Sequence, residues 1–299
     1  MLTLSEIAET VREEFEGADI IENASMREHT SFKIGGRARY LFTPKTKEEL
    51  FYILSLCRDS NVRCEIIGNG TNVLFSDDLP ELAVIKTSDG LDKVELTGDR
   101  EIYAECGATL SKIAVFAMRH GLEGFEFAHG IPGSLGGAVV MNAGAYGGEI
   151  KDVVTKVDAV SGTYTAEECD FSYRHSRFSD SGDIVLGAAI TLKKGDSDAI
   201  KGRMDELLER RRSSQPLNMP SAGSTFKRPV GGYAAALIDQ AGLKGYSVGG
   251  AKVSEKHAGF VVNSGGATFD DVVNLMEHIK NTVFENSGIM LEPEVKIIR

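Results

Sequence analysis

The sequence predicts an α+β protein, and three observations support this prediction. Three segments with apolar residues at helical spacing begin with the capping boxes Thr3-x-x-Glu6, Thr46-x-x-Glu49 and Thr268-x-x-Asp271. Short apolar runs bounded by glycine or polar residues lie between them and are typical of strands. The 299 residues are 42% hydrophobic and 26% charged, which is typical of a globular protein of about two domains.

In the first half of the chain, helices alternate with short strands. A helix over 4–15 ends at Gly17, and a second helix over 46–57 leads into a strand over 62–67 that ends at Gly68. This alternation predicts a small α/β unit near residues 20–85. Further strands are expected at 82–86, 94–96 and 102–106, with a hairpin at Gly98-Asp99, and a helix follows over 109–119.

The second half of the chain is predicted to begin with two strands and to end with one. In order, the elements are strands at 154–160 and 183–192, a helix at 198–212, a strand at 225–227, a helix at 234–241, strands at 251–253 and 257–262, a helix at 268–284 and a strand at 293–298. From these elements we predict three parts: an N-terminal helix with a first lobe over 1–84, a second lobe over 85–204, and a third domain over 205–299.

The composition argues against several classes of protein. The formal net charge of −11 disfavours a nucleic-acid partner, and no run of 18 apolar residues is present to insert into a membrane. The four cysteines form no C-x-x-C pair and the first residues carry no secretory signal, so we expect a cytoplasmic location. The six histidines lack metal-ligand spacing, so we predict no metal site.

Two glycine-rich loops are candidate ligand sites. One is Gly68-Asn69-Gly70-Thr71-Asn72, and the other lies at 130–137, within a 19-residue stretch that has seven glycines and no charged residue. Glycines let a ligand approach closely and direct consecutive N–H groups at it, which suits a phosphate. A helix N-terminus after the second loop would add a favourable partial charge. Either loop alone is equally well explained as a tight turn, but two in one domain favour a bound nucleotide.

Several ordered motifs resemble one family of flavoenzymes. They are Thr30-Ser31-Phe32-Lys33-Ile34-Gly35-Gly36, Gly130-Ile131-Pro132-Gly133-Ser134 with Met141-Asn142-Ala143-Gly144-Ala145-Tyr146-Gly147, Tyr173-Arg174-x-Ser176, Ala222-Gly223-Ser224-Thr225-Phe226-Lys227, Lys252-Val253-Ser254-x-Lys256-His257 and Leu291-Glu292-Pro293-Glu294-Val295. They span nearly the whole chain and resemble the UDP-N-acetylenolpyruvoylglucosamine reductase family. One strand and one basic helix replace the tyrosine-bearing loop of the larger subtype, so the chain resembles the shorter, type II form.

The resemblance implies a fold, a cofactor and a reaction. The fold is a two-part FAD-binding domain of the vanillyl-alcohol-oxidase/PCMH type plus a C-terminal α+β substrate domain. The cofactor is noncovalent FAD, with NADPH as co-substrate. The reaction reduces UDP-N-acetylglucosamine enolpyruvate to UDP-N-acetylmuramate for bacterial peptidoglycan, and so serves cell-wall biogenesis, cell shape and cell division. Contacts to FAD are expected at Gly68, Asn69, Gly70, Thr71, Asn72, Gly107, Ile131, Pro132, Gly133, Ser134, Gly136, Gly137, Asn142 and Gly144.

Three catalytic residues are implied by the resemblance, and each also has an ordinary structural explanation. Arg174 would hold the enolpyruvyl carboxylate at two points, but it could equally be a surface arginine. Ser224 would give a proton to the carbanion formed when N5 of reduced FAD transfers hydride, but it could be a turn serine. Glu294, in the predicted last strand, would polarise the same carboxylate, but it could be an edge-strand carboxylate facing water.

The resemblance also implies residues that bind the UDP group of the substrate, and two rival functions remain open. The UDP part of the substrate is expected to meet Lys227, Arg211 and Gln215, whereas the other arginines of 210–212 would form a solvated helix end. One rival is a carbohydrate or hydroxyacid oxidase of the same flavin fold, and the other is a nucleotide sensor without turnover. The three catalytic residues together favour an enzyme, because a sensor needs no proton donor. We expect the protein to act on its small-molecule substrate as a monomer.

Overall fold

The structure, a computed structural model, describes residues 1–79 and 81–299. Within these residues the α-helices are α1 (Leu4–Glu14), α2 (Met26–His29), α3 (Lys47–Asp59), α4 (Leu110–Arg119), α5 (Leu135–Val140), α6 (Arg177–Ser181), α7 (Ser197–Ser214), α8 (Ala234–Gln240) and α9 (Phe269–Ser287). The strands are β1 (Ile20–Ser25), β2 (Arg37–Phe42), β3 (Cys64–Ile67), β4 (Val73–Phe75), β5 (Ala83–Lys86), β6 (Val94–Leu96), β7 (Glu101–Glu105), β8 (Leu122–Glu123), β9 (Gly144–Ala145), β10 (Gly148–Glu149), β11 (Val154–Ala159), β12 (Gly162–Thr165), β13 (Val185–Thr191), β14 (Lys193–Lys194), β15 (Ser247–Val248), β16 (Ala251–Val253), β17 (Val261–Asn263) and β18 (Lys296–Ile298). Short 3-10 turns lie at Glu126–Ala128 and Ile150–Asp152.

The chain forms two compact units, each made of separate segments. The first contains Met1–Asn23, Arg39–Asn69 and residues 81–211, and the second contains Ala24–Ala38, residues 70–79 and Arg212–Arg299. The three-part division made on the sequence remains a prediction. It differs from these units in keeping residues 24–38 and 70–79 with the N-terminal part, in dividing the first unit after residue 84, and in beginning the last part at 205.

The first unit is built around two sheets. In the five-stranded sheet, β12-β11-β13-β7-β6, every pairing is antiparallel. The other sheet has the order β1-β2-β5-β3, and β5 runs parallel to both β2 and β3. Apolar side chains of α1, α3, α4 and both sheets form one continuous core. Because β3 ends at Ile67, this sheet places the first glycine loop at its edge.

The second unit combines a small sheet, a parallel strand pair and the helices α2, α8 and α9. The sheet is β15-β16-β17, and β4 pairs with β18 so that Val73 lies opposite Lys296. Helix α9 buries an apolar stripe in the core of this unit. Thr268 and Asp271 form the reciprocal capping box that the sequence predicts, and Gly288 ends the helix with φ of +71°.

Most of the predicted elements are confirmed, and four details differ. The segment at 225–227 is not a strand, since Phe226 makes only an isolated bridge with Pro293. The final strand begins at Lys296 rather than 293, and the strand predicted at 257–262 is β17. The capping box at Thr46 is half formed, because the Glu49 carboxylate accepts from the N–H of Lys45 instead. The sequence prediction missed β1, β2, β4 and several shorter elements.

Among the residues described, no helix has the length and apolar character needed to cross a bilayer. Those residues also bring no three His, Cys, Asp or Glu side chains together into a group that could hold a metal ion.

Candidate active site

The first glycine loop presents main-chain donors that the protein itself leaves unused. No described residue accepts a hydrogen bond from the N–H groups of Asn69, Gly70 or Thr71. Gly70 has φ of +62°, and a Cβ at this position would lie 2.2 Å from the carbonyl oxygen of His29. Glycine is therefore required here by both conformation and space. Consecutive N–H groups without acceptors are suited to an anion such as a phosphate.

The second loop lies against the first. The side-chain amide of Asn69 donates to the carbonyl oxygen of Pro132 at 2.6 Å. The Ser134 hydroxyl occupies the space beside Gly68, where a Cβ would come within 1.9 Å of it. The N–H groups of Gly133 and Ser134 also find no acceptor among the described residues. Both loops therefore carry main-chain N–H groups that the described residues leave unused, and their contact with a ligand stays a prediction.

The helix after the second loop contributes less than expected. The N–H groups of Leu135 and Gly136, in the first turn of α5, donate to the carbonyls of Ala108 and Cys106 at 2.8 and 2.7 Å. These donors are already used within the protein, so the loop N–H groups are the better candidates to bind a phosphate. Gly137, the next residue, is exposed and leaves room for a ligand.

Three of the predicted cofactor contacts have clear structural roles. A Cβ on Gly107 would lie 2.0 Å from the carbonyl oxygen of Thr87, so close packing explains this glycine. Asn142 is fully buried, and its amide donates to Glu149 Oε2 at 3.0 Å and to the carbonyl of Ser172 at 2.8 Å. Its side chain therefore fixes the segment that carries Arg174. Ile131 donates its N–H to Ala128 at 3.0 Å and helps to close the second loop.

Arg174 is half-buried and held in an unusual backbone conformation. Its φ is +54°, a value that non-glycine residues rarely adopt and that often marks functional sites. One guanidinium nitrogen, Nη2, lies 3.4 Å from the carbonyl oxygen of Gly144, and the guanidinium lies 5.3 Å from the Tyr173 ring centre. The Lys151 ammonium, more than the Asn142 amide and the Arg174 charge, holds the pKa of Glu149 below its usual range. Arg174 is thus part of a polar cluster beside Gly144.

Ser224 and Glu294 belong to the second unit, where the main chain joins them. Ser224 follows Gly223, whose φ is +77°, and no described residue hydrogen-bonds its hydroxyl. The next residue, Thr225, accepts the N–H of Glu294 through its carbonyl oxygen at 2.8 Å. Ser224, the proposed proton donor, is therefore linked to Glu294, the proposed carboxylate, through Thr225 and one main-chain hydrogen bond.

Several buried polar atoms have no hydrogen-bond partner among the described residues. They are His129 Nδ1, Tyr146 Oη, Arg211 Nε and Gln215 Oε1. Within the first unit, Arg211 covers Gly130, whose Cβ would lie 3.3 Å from Arg211 Cδ. Burial lowers the pKa of both the His129 imidazole and the Arg211 guanidinium. Buried polar groups are normally paired, so each of these atoms is available to water or to a ligand.

The sequence prediction included Arg211 and Gln215 but missed Tyr146 and left His129 without a role. Tyr146 has φ of +54°. In the sequence it stands among small, uncharged residues, and this contrast was the available signal. Arg210 and Arg212 are exposed, in contrast to Arg211. Lys227 pairs with Glu292, so a substrate phosphate would have to compete with that carboxylate.

Two glycine loops with unused N–H groups, in a chain that also has a separate α+β unit, fit the class of flavin-binding oxidoreductases. Comparison with known proteins agrees, since residues 38–170 match the family described as FAD binding domain. Residues 215–298 match the family described as UDP-N-acetylenolpyruvoylglucosamine reductase, C-terminal domain. The chain belongs to the UDP-N-acetylenolpyruvoylglucosamine reductase family.

Relatives and a solved structure support this assignment over more than nine-tenths of the chain. The reductase of Caldanaerobacter subterraneus is 52% identical over 92% of both chains, and that of Clostridium novyi is 46% identical over 94% of this chain and 92% of its own. The crystal structure of the Thermus caldophilus enzyme has a TM-score of 0.79 and 33% identity, and covers 95% of this chain and all of its own. An alkyldihydroxyacetonephosphate synthase, at 14% identity and a TM-score of 0.50, shares the fold over 64% of this chain and 41% of its own.

These matches confirm the predicted fold class and FAD as the cofactor. The protein is an FAD-dependent oxidoreductase.

Proposed function

We propose that the protein reduces UDP-N-acetylglucosamine enolpyruvate to UDP-N-acetylmuramate with NADPH, in peptidoglycan precursor synthesis. The relatives, whose names describe a reductase of UDP-N-acetylenolpyruvoylglucosamine, support the choice of substrate. The observation that carries the proposal is the pair of loops joined by the Asn69–Pro132 hydrogen bond, with N–H groups that no described residue accepts. This arrangement fits the pyrophosphate of FAD.

The two loops would hold FAD without a covalent bond. The N–H groups of Asn69, Gly70 and Thr71 would bind one phosphate and those of Gly133 and Ser134 the other. Bound FAD supplies hydride transfer from NADPH to the methylene carbon of the enolpyruvyl group. The protein's own side chains must then stabilise charge on the carboxylate and deliver a proton to the adjacent carbon.

Arg174 would bind the enolpyruvyl carboxylate. A guanidinium offers two parallel N–H donors to a carboxylate and keeps its charge at working pH. The bond from the Asn142 amide to the Ser172 carbonyl holds the backbone that carries this side chain, which has a positive φ at Arg174. Preorganised donors stabilise charge that develops in the transition state without having to reorient.

Ser224 would donate the proton, and Glu294 would act on the same carboxylate as Arg174. The Ser224 hydroxyl has no partner among the described residues, so its proton is available to a substrate. A carbanion next to an ether oxygen and a carboxylate is basic enough to accept a proton from an alcohol. Glu294 is half-buried and held by its main chain near this serine.

The UDP diphosphate would be bound by Arg211, Gln215 and Lys227. Arg211 Nε and Gln215 Oε1 are buried polar atoms that bond no described residue, and a ligand could satisfy them. We also propose that the protein works as a monomer in the cytoplasm.

The test is a two-step anaerobic reaction followed by flavin absorbance. NADPH should bleach the protein-bound FAD, and UDP-N-acetylglucosamine enolpyruvate should restore the yellow colour in the absence of oxygen. As a control, UDP-N-acetylglucosamine should restore nothing, because it lacks the vinyl ether. Recovery of colour only on admission of air would instead indicate an oxidase of the same fold.

A further inference from the structure

The main chain around Glu294 is bound on both sides by other parts of the second unit. On one side, the N–H of Glu294 donates to the carbonyl of Thr225 at 2.8 Å, and the N–H of Lys227 donates to the carbonyl of Glu292 at 2.9 Å. The bridge between Phe226 and Pro293 lies between these two bonds. Segments 225–227 and 292–294 therefore run antiparallel, directly after Ser224.

On the other side, Asn72 makes two contacts to the same segment. Its side-chain Nδ2 donates to the carbonyl oxygen of Glu294 at 3.1 Å. Its own carbonyl accepts the N–H of Lys296 at 3.0 Å, and the parallel pairing of β4 with β18 continues from there. Asn72 therefore contacts the chain on both sides of Val295.

Thr225 provides a fixed reference point for these bonds. It is only 4% exposed, its N–H donates to the carbonyl of Gly259 at 2.9 Å, and its hydroxyl accepts the N–H of Val261 at 3.0 Å. With the Glu294 bond, three hydrogen bonds hold this residue. Because Ser224 precedes Thr225 directly, its position is tied to the same point.

We propose that Asn72 is a positioning residue for Glu294. Its carboxamide holds the Glu294 carbonyl while Thr225 holds the Glu294 N–H, so the peptide groups on both sides of this glutamate are fixed relative to Ser224. This assigns the Asn72 side chain to the part of the site that reduces the enolpyruvyl substrate, rather than to the binding of FAD. The inference rests on the roles proposed above for Ser224 and Glu294.

The test compares Asn72→Ala with Glu294→Gln and with the double variant, using stopped-flow absorbance for each half-reaction. In Asn72→Ala, reoxidation of reduced FAD by the enolpyruvyl substrate should slow by about tenfold or more, since small misplacements of catalytic groups are costly. Reduction by NADPH and the affinity for FAD should change by less than about twofold. In the Glu294→Gln background, Asn72→Ala should slow reoxidation by less than about a further twofold, because the two changes remove the same function.

The matched control is Ser264→Ala. It removes a 2.8 Å side-chain bond to the carbonyl of Gly250 in the same unit, and should leave both half-reactions unchanged. Additive effects of Asn72→Ala and Glu294→Gln would overturn the inference, as would equal losses in both half-reactions or loss of FAD. If Glu294→Gln alone reoxidises at the wild-type rate, the proposed role of Glu294 is itself wrong and the inference is rejected with it.

A second variant distinguishes positioning from a merely structural effect and replaces Asn72→Ala if that protein fails to fold. Asn72→Asp keeps the shape of the side chain but offers the Glu294 carbonyl an acceptor instead of a donor at neutral pH. Protonation of the introduced carboxyl group restores a donor. Relative to the wild type, reoxidation by Asn72→Asp should therefore recover as the pH is lowered. A constant ratio between the two proteins across pH would contradict the proposal.

Discussion

The side chain of Asn69 donates a hydrogen bond to the carbonyl oxygen of Pro132, although 63 residues separate them along the chain. This bond fixes the start of the first glycine loop against the second loop. The N–H groups of Asn69, Gly133 and Ser134 are therefore held in place by the first unit itself. A site whose donors are already arranged loses less conformational entropy when its ligand binds.

Gly70→Ala should weaken the binding of FAD. Alanine would have to adopt φ of +62° with its Cβ 2.2 Å from the His29 carbonyl oxygen. Left-handed strain alone costs roughly 1–2 kcal/mol, so we expect at least about a tenfold loss of affinity. The measurement is FAD titration of the apoprotein, followed by flavin fluorescence. Gly202→Ala, in helix α7 with no atom near the added methyl, is the control and should bind FAD normally. Equal affinities in the two variants would exclude the first loop from the site.

Arg174→Lys should slow one half-reaction selectively. Lysine keeps the positive charge but loses the two-point contact with a carboxylate. We expect reoxidation by the enolpyruvyl substrate to fall about 10²-fold, as for loss of a preorganised donor, and reduction by NADPH to change little. The control is Arg177→Lys, since Arg177 lies over the Tyr164 ring at 3.9 Å and has no assigned role in turnover. Equal losses in both half-reactions of Arg174→Lys would mean that this arginine serves the fold or the cofactor.

Ser224→Ala should give a folded, yellow protein that NADPH reduces but substrate reoxidises slowly. No described residue bonds the Ser224 hydroxyl, so the unfolding free energy should change by less than about 0.5 kcal/mol. Loss of the proton donor should slow reoxidation about 10²–10⁴-fold. Ser224→Cys should recover part of the rate, because a thiol is more acidic than an alcohol. A wild-type reoxidation rate in Ser224→Ala, measured in water and in D₂O, would assign the proton to another donor.

His257 should make the stability of the protein depend on pH. Burial lowers the pKa of this imidazole, and its Nδ1 accepts the N–H of Gly259 at 3.2 Å, so the neutral form is favoured in the folded protein. The unfolded chain then binds more protons below about pH 6.5, and the unfolding free energy should fall as the pH drops from 7 towards 5. The unfolding free energy, measured by urea denaturation at several pH values, should depend less steeply on pH in His257→Gln than in the wild type. An unchanged slope would show that His257 does not contribute.

Local signals in the sequence identified most of the fold correctly. The capping residues Thr3 and Thr268 and the periodic apolar positions act within one or two helical turns, so they can be read without knowing the tertiary structure. The glycine loops were recognisable from their composition, and in the structure Gly70 requires glycine by both conformation and space. The missed strand β4 has only three residues, and its partner β18 lies far away in the sequence, so no local pattern indicated it.

The candidate site was predictable to a smaller extent. Arg174, Ser224 and Glu294 were recognised through the resemblance to a family, and their types alone would not have separated them from surface residues. The sequence could not show that the Asn142 amide is used by Ser172 and Glu149, because these bonds depend on how distant segments meet. The same is true of the buried hydroxyl of Tyr146, which makes no hydrogen bond to any described residue.

The pairing of β4 with β18 also has a consequence for how the protein is made. Asn72 and Glu294 are 222 residues apart, so the ribosome must add that many residues before this part of the second unit can close. At typical bacterial synthesis rates the delay is on the order of 10–40 s. During that time the nascent chain exposes β4 as an unpaired strand, while the first unit acquires its sequence up to Arg211 and can already fold. The polypeptide therefore reaches Glu294, the proposed carboxylate, only after the sequence of the first unit is complete.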